Sequence, residues 1–219
     1  MTTNKRLILA SASPRRQELL QLLEIPFKVR APDVEELLQP GELPSEAPQR
    51  FSRLKAGNIA HSAGKSVVLA ADTIVVHKDE ILGKPRDADH ARDMLRRLRG
   101  KHHVVLSGVT VMDTSTGEQI TDLCESQVWM RDMDDDEIDA YVASGDPMDK
   151  AAAYGIQNVE FAPVERVDGC PANVMGLPMC HVIQSLQRLG MSTPLTQPTD
   201  CKMGHGDYVC PLAEGVLGS

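Results

Sequence analysis

Along the chain, short apolar runs alternate with stretches whose hydrophobic residues recur at helical spacing. Leu7-Ile-Leu-Ala10 is bounded by polar residues and reads as a buried strand. Ser11-Ala-Ser-Pro-Arg-Arg16 follows, and then Leu19, Leu20, Leu22 and Leu23 recur at helical spacing. The pattern predicts strand, tight loop and helix, with Ser13 as N-cap and Pro14 as first helical residue. Residues 27–30 read as a second short strand. Pro40, Pro44 and Pro48 make 39–49 a loop, and 49–63 reads as a helix ended by Gly64. Residues 66–71 and 73–77 are β-rich runs on either side of Asp72.

Farther on, Asp87 caps a helix carrying Ala91, Met94, Leu95 and Leu98 on one face and stopped by Gly100. Residues 104–112 and 120–130 pair as a hairpin around the polar turn 114–117. Asp134 and Glu137 have the spacing of a capping box, opening a helix that ends at 142 or 143. Residues 151–156 fit no single element, and a last helix starts near Pro178. Strands and helices mix without strict βαβ alternation. The fold class is therefore mixed α/β or α+β, with a partly antiparallel sheet.

The chain has 219 residues, which suffices for one domain with a substantial core. Residues 191–219 lack periodicity and read as a tail of no assigned role. No apolar run reaches the roughly 20 residues needed to span a bilayer, and the N-terminal apolar stretch is too short for a signal-peptide core. Five cysteines, an odd number with no CxxC pair, fit a reducing compartment, so the expected location is cytoplasmic. Cys201, His205 and Cys210 match no zinc spacing. A net charge of −8 and 3% aromatic residues argue against a nucleic-acid-binding module. A small anion is a different matter, because residues 1–30 carry a net charge of +4.

Candidate chemistry begins at Ser13-Pro-Arg-Arg16. Arg15 and Arg16 would lie in the first turn of a helix, against its dipole, a local conflict of the kind found where function demands it. Free N–H groups, hydroxyls and guanidinium forks together would make a phosphate site. Two solvated arginines are the alternative, and the GxxxxGK[ST] pattern is absent. Asp72 interrupts an apolar stretch, where a carboxylate is costly unless paired or bound to metal. A strand-end turn or a structural ion pair would also account for it. Glu35 and Glu36 could hold a divalent ion or form a solvated acidic loop. Lys55, Lys84 and Lys150 are each ordinary surface residues when taken singly. The Arg92, Arg96, Arg97 and Arg99 series reads as a basic outer face, and the acidic run 132–139 as a capped, solvated helix start.

Five motifs occur in order: Ser13-Pro-Arg-Arg16, Ala71-Asp-Thr-Ile-Val75, Gly83-Lys-Pro85, Asp149-Lys-Ala-Ala-Ala-Tyr-Gly-Ile-Gln157 and Val174-Met-Gly-Leu-Pro178. Over residues 5–190 the chain resembles the Maf family of nucleoside triphosphate pyrophosphatases. The resemblance implies an elongated fold like that of the inosine triphosphatase group, two lobes with a central cleft. It also implies cleavage between the α and β phosphates to a nucleoside monophosphate and pyrophosphate, and a divalent cation, Mg or Mn, as cofactor.

By that resemblance Asp72 is the general base, and Glu36 and Asp72 hold the metal. Ser13, Arg16, Lys55, Lys84 and Lys150 line the phosphate path, while Arg15, Thr73 and Gln157 set base preference. The last three match the branch that prefers dTTP and UTP. The branch that prefers 7-methyl-GTP places a bulky apolar or aromatic residue where Arg15 stands. Two positions depart from the family pattern, Ala152 for glycine and Asn158 for glycine. The implied partner is a small-molecule nucleoside triphosphate, with no nucleic acid and no membrane; monomer and homodimer both stay open. The alternatives are a 7-methyl-GTP or modified-pyrimidine substrate, and a nucleotide-sensing regulator of cell division without turnover.

Overall fold

The computed structural model describes residues 5–193. Its centre is a seven-stranded mixed sheet in the order β2-β1-β3-β5-β6-β7, with β4 paired to β3. The chain runs β1 (Arg6–Ala10), α1 (Pro14–Gln21), β2 (Phe27–Arg30), α2 (Ala47–Ala60), β3 (Ser66–His77), β4 (Glu80–Leu82), α3 (Ala88–Leu98), β5 (His102–Asp113) and β6 (Gln119–Met130). It continues through α4 (Asp135–Ala143), two 3-10 turns (Asp146–Asp149 and Ala151–Ala153), β7 (Val164–Asp168), α5 (Pro171–Val174) and α6 (Met179–Arg188). The sheet is parallel among β1, β2 and β3 and antiparallel from β3 through β5 and β6 to β7.

Side-chain alternation along β3 divides the core. Val67, Leu69, Ala71 and Val75 join the main apolar cluster with Leu19 and Leu20 of α1, Leu95 of α3 and Ile183 of α6. Val68 and Ala70 face the other way, packing with Ala56 and Ile59 of α2, and Ile74 meets Phe51 there. Asp72 shares the parity of this second face, so its carboxylate points toward α2.

Strand β3 is one unbroken run of twelve residues, not two runs flanking a turn, and Asp72 lies in mid-strand. The reason lies in its edges. β5 pairs with β3 from Val67 to Val76, while β1 pairs with the opposite edge only as far as Leu69 and β4 resumes there at Val75. Residues 70–74 therefore border a notch. The chain leaves β1 at this notch and turns into α1, the crevice at the ends of parallel strands where ligands settle in α/β sheets.

Helix α2 starts at Ala47, two residues before its expected boundary, with Pro48 in the first turn, where its missing N–H is no loss. β4, β7 and α5 were not legible from the pattern. Asp87 caps α3 by accepting from the His90 N–H, and Asp134 and Glu137 form the expected capping box. The arginines of α3 are not a lone basic face. Arg92 pairs with Asp139, and Arg96 with Asp135, as does Arg99 just past the helix, so the basic helix and the acidic helix start are two sides of one contact; Arg97 pairs instead with Glu80 of β4. Among the described residues no helix is long and apolar enough to cross a membrane. Cys201, His205 and Cys210 lie outside the described residues.

Candidate active site

A cavity of about 780 Å³ opens at the notch, and the ten residues that the resemblance assigns to the site all line it: Ser13, Arg15, Arg16, Glu36, Lys55, Asp72, Thr73, Lys84, Lys150 and Gln157; Glu35, the other acid weighed for a divalent ion, does not. One wall is the loop after β1 and the first turn of α1. The floor is β3, and the far wall is the segment 146–160 together with residues 174–176. Residues far apart in the chain thus share one hollow.

Asp72 is 5% exposed. Its Oδ1 accepts from Lys55 Nζ at 2.5 Å, and Lys55 Nζ also lies 2.7 Å from Glu36 Oε1. The lysine descends from α2, and the glutamate comes from the loop before that helix. The bridging ammonium offsets the burial of Asp72, which alone would be costly. The other oxygen of Asp72 has no hydrogen-bond partner among the described residues.

A glycine sets this geometry. Gly108 on β5 is the register partner of Asp72, and a Cβ there would lie 2.3 Å from the carbonyl carbon of Pro48. The start of α2 is seated directly on the strand backbone, and Ser52 shares a 2.8 Å hydrogen bond with Thr110 one turn later. Lys55 follows Pro48 by seven residues, two helical turns, and so returns to the same face.

Arg16 is held on the opposite side of β3. Its Nε donates to Gly176 O at 2.8 Å and its Nη2 to Thr73 Oγ1 at 3.1 Å. Thr73 Oγ1 shares a 2.7 Å hydrogen bond with the buried Ser107 Oγ and lies 3.4 Å from Gly176 O. Gly176 has φ +105°, a conformation that glycine adopts without strain, and a Cβ there would come within 3.4 Å of Arg16 Nε. Burial pushes the Arg16 guanidinium below its ordinary pKa, and the charges of Asp72 and Glu36 pull it back up.

Ser13 is the N-cap residue of α1, but its hydroxyl does not bond the helix; its own N–H donates to Ser11 Oγ at 3.2 Å. First-turn N–H groups of α1 thus lack a side-chain cap at the cavity wall, the arrangement helix N-termini offer to anions. Lys84 is exposed and has no ion pair among the described residues. Lys150 is tethered, donating to Asp146 Oδ1 at 2.9 Å and Asp149 Oδ1 at 2.8 Å. Arg15 approaches Asp149 at 4.0 Å, and Gln157 is exposed.

The donor set fits a hard cation. Asp72 and Glu36 converge on one point, taken here by the Lys55 ammonium, and both offer oxygen. Among the described residues no three His, Cys, Asp or Glu side chains form a metal-binding group. Mg²⁺ needs no such cage, since it commonly binds through one or two carboxylates plus substrate phosphates and water. Sequence reasoning missed Ser107 and Gly108, and held Gly176 only within the motif Val174-Met-Gly-Leu-Pro178, with no role. They act by supporting others, and only register and packing reveal them.

Such a site, with carboxylates and fixed cations around one hollow beside a helix N-terminus, is of the phosphate-ester-handling kind. The family model described as Maf-like protein matches residues 6–189, and the chain belongs to that family. It is 44% identical over 190 residues to a dTTP/UTP pyrophosphatase of Geotalea uraniireducens, covering 87% of this chain and 98% of that one. A dTTP/UTP pyrophosphatase of Salinibacter ruber is 44% identical over 183 residues, covering 83% and 89%. A solved HAM1 protein from Coxiella burnetii aligns over 85% of this chain and 96% of its own, at 16% identity and a TM-score of 0.40.

Proposed function

We propose that this protein is a nucleoside triphosphate pyrophosphatase that hydrolyses dTTP and UTP to the monophosphate and pyrophosphate. The observation that carries the reading is the convergence, on one cavity, of a buried carboxylate with a free oxygen and five cationic side chains. The names of relatives 44% identical over most of their length support the same activity and the same bases.

In this reading the triphosphate lies along the first turn of α1, with Arg16, Lys55 and Lys84 compensating its charge. Asp72 takes a proton from water as the water oxygen bonds to the α-phosphorus. The bond between that phosphorus and the α–β bridging oxygen breaks, and pyrophosphate leaves. Fixed cations aimed at the developing charge stabilise the transition state without reorganising at the moment of reaction. Asp72 and Glu36 are the residues that would hold a divalent cation. Such an ion would neutralise phosphate charge and make the attacking water more acidic. Gln157 offers both a donor and an acceptor to a uracil or thymine edge, and Arg15 lines the same cavity. A small nucleotide suits the net charge of −8 better than a nucleic-acid backbone does. The reading places the enzyme in the cytoplasm.

The test is pyrophosphate release from dTTP, UTP, the other common triphosphates and 7-methyl-GTP at matched concentrations, with Mg²⁺, with Mn²⁺ and with chelator. Preferential turnover of dTTP and UTP is expected. Preference for 7-methyl-GTP would overturn the substrate assignment, and tight binding with no turnover would favour a nucleotide sensor.

A further inference from the structure

The segment 146–157 carries Lys150 and Gln157, yet it is built of two short 3-10 turns with little regular structure to fix it. One buried side chain joins its two ends. Tyr141 of α4 is 0% exposed, and its hydroxyl donates to Asp146 Oδ2 at 2.7 Å and accepts from the Gly155 N–H at 2.9 Å. The other oxygen of Asp146 takes the Lys150 ammonium at 2.9 Å, and the Asp146 carbonyl takes it at 2.5 Å. At Gly155 the stem of Lys150 passes so close that a Cβ would lie 2.8 Å from Lys150 Cε. The two contacts of one phenol therefore fix both the carboxylate that tethers Lys150 and the backbone over which Lys150 runs.

We propose that Tyr141 is a positioning residue: through Asp146 and Gly155 it sets where Lys150 and Gln157 meet the nucleotide. The inference rests on the reading above and deepens it. Asp146 stays ionised, since burial raises its pKa but the hydrogen bonds from Lys150 and Tyr141 lower it by more. The Asn158 N–H donates to Gly155 O at 3.1 Å, and Asn158 Oδ1 accepts the Phe161 N–H at 2.9 Å, so the turn after Gln157 is tied back to Gly155. Asp72 lies outside this network, so disturbing it should affect how the substrate is held more than the bond-breaking step.

The test is Tyr141→Phe, which keeps the ring against Phe161, 5.0 Å away, while removing both hydrogen bonds. A buried group left without its partner commonly costs enough to change an equilibrium about tenfold. We expect KM for UTP to rise about tenfold, kcat to stay within about twofold, and the preference for UTP over a purine triphosphate to shrink. Asp146→Asn should act in the same direction, and the double variant should be no worse than the poorer single one, because both break one network. Amide hydrogen exchange should quicken over 146–157 in Tyr141→Phe and nowhere else. A fall in kcat with KM unchanged, additive single effects, or unaltered exchange over that segment would overturn the inference. If the wild-type protein releases no pyrophosphate from UTP, the proposed function fails. The exchange measurement still decides whether Tyr141 holds the segment.

Discussion

Asp72 and Gly108 face each other across β3 and β5, and the missing side chain at 108 lets α2 begin against the strand, 2.3 Å from where a Cβ would stand. A glycine that is not among the cavity-lining residues thereby fixes the height at which Lys55 meets the carboxylate. Replacing it with alanine forces either the strand or the helix start to move. Gly108→Ala should destabilise the protein by about 1–3 kcal/mol, as overpacking does. It should also reduce pyrophosphate release by more than the loss of folded protein explains. Denaturant unfolding together with activity per folded molecule measures both.

Asp72→Asn keeps the shape of the side chain and removes the proton acceptor. Turnover should fall by about 10²- to 10⁴-fold, the usual contribution of general acid–base catalysis. Nucleotide binding, followed by calorimetry, should remain measurable. Turnover at the wild-type level would refute the base assignment.

Lys55 offers a test of the cation site that needs no turnover. Lys55→Met leaves Asp72 buried without its 2.5 Å partner and Glu36 without its 2.7 Å partner. Breaking a buried pair from one side costs about 3–5 kcal/mol. If the two carboxylates share a cation position, millimolar Mg²⁺ should restore much of the lost thermal stability in the variant and do less for the wild type. Equal or absent effects of Mg²⁺ in both would argue that no ion binds between them.

Ala152, one of two neighbouring alanines in the left-handed region, is the departure from the family pattern that the fold explains most directly. Ala152 and Ala153 both have φ near +58°, and the Ala152 N–H donates to Gly83 O at 3.0 Å, tying this turn to the loop that carries Lys84. A residue with a Cβ is disfavoured there. Ala152→Gly should stabilise the protein by about 0.5–1 kcal/mol, the strain relieved being partly offset by a more flexible unfolded chain. For a chain of this size that is a rise of about 2–4 °C in Tm per kcal/mol. A lower Tm would show that the turn carries no strain.

His103 gives a pH dependence of stability. It is 2% exposed, its Nε2 lies 2.7 Å from Tyr154 Oη, and its Nδ1 has no partner among the described residues. Burial lowers its pKa to about 3, with the nearby His77 and His102 adding to the effect. The unfolded chain binds this proton near pH 6.5. Between those values the unfolded state carries more protons, so the contribution is complete above about pH 6.5 and is lost as pH falls toward 3. His103→Gln, which cannot titrate, should flatten the dependence of unfolding free energy on pH between 4 and 6.5. An unchanged slope would place the titration elsewhere.

Much of this molecule was legible in its sequence. Periodicity gave the hairpin of β5 and β6, and cap residues gave α3 and α4, because those signals are local. β4 and β7 escaped, being three and five residues long and stabilised by pairing rather than by their own pattern. The motif residues could be listed from the chain, but not their mutual arrangement. Nothing local in Lys55 announces Asp72 as its partner, and nothing in Arg92 announces Asp139. Thr73 and Asp72 are neighbours in sequence on opposite faces of one strand, and only the gap between β1 and β4 brings both to the same hollow. Ser107 and Gly108 are invisible without register, because their importance lies in what stands opposite, while Tyr141 and the motif residue Gly176 take their meaning from packing between distant segments.

Lys5 donates to Asp113 at 2.7 Å and to the Leu189 carbonyl at 2.8 Å, so the start of β1 is fastened to the end of α6. Where head and foot of a domain touch, the order in which its pieces are threaded becomes negotiable. A rearranged gene that keeps the buried Met191, joins residue 193 to residue 5 through a glycine linker and opens instead at the turn 114–117 should yield a cleft with every wall intact. It would free both new termini on the side of the sheet's hairpin, remote in sequence from the residues that do the chemistry.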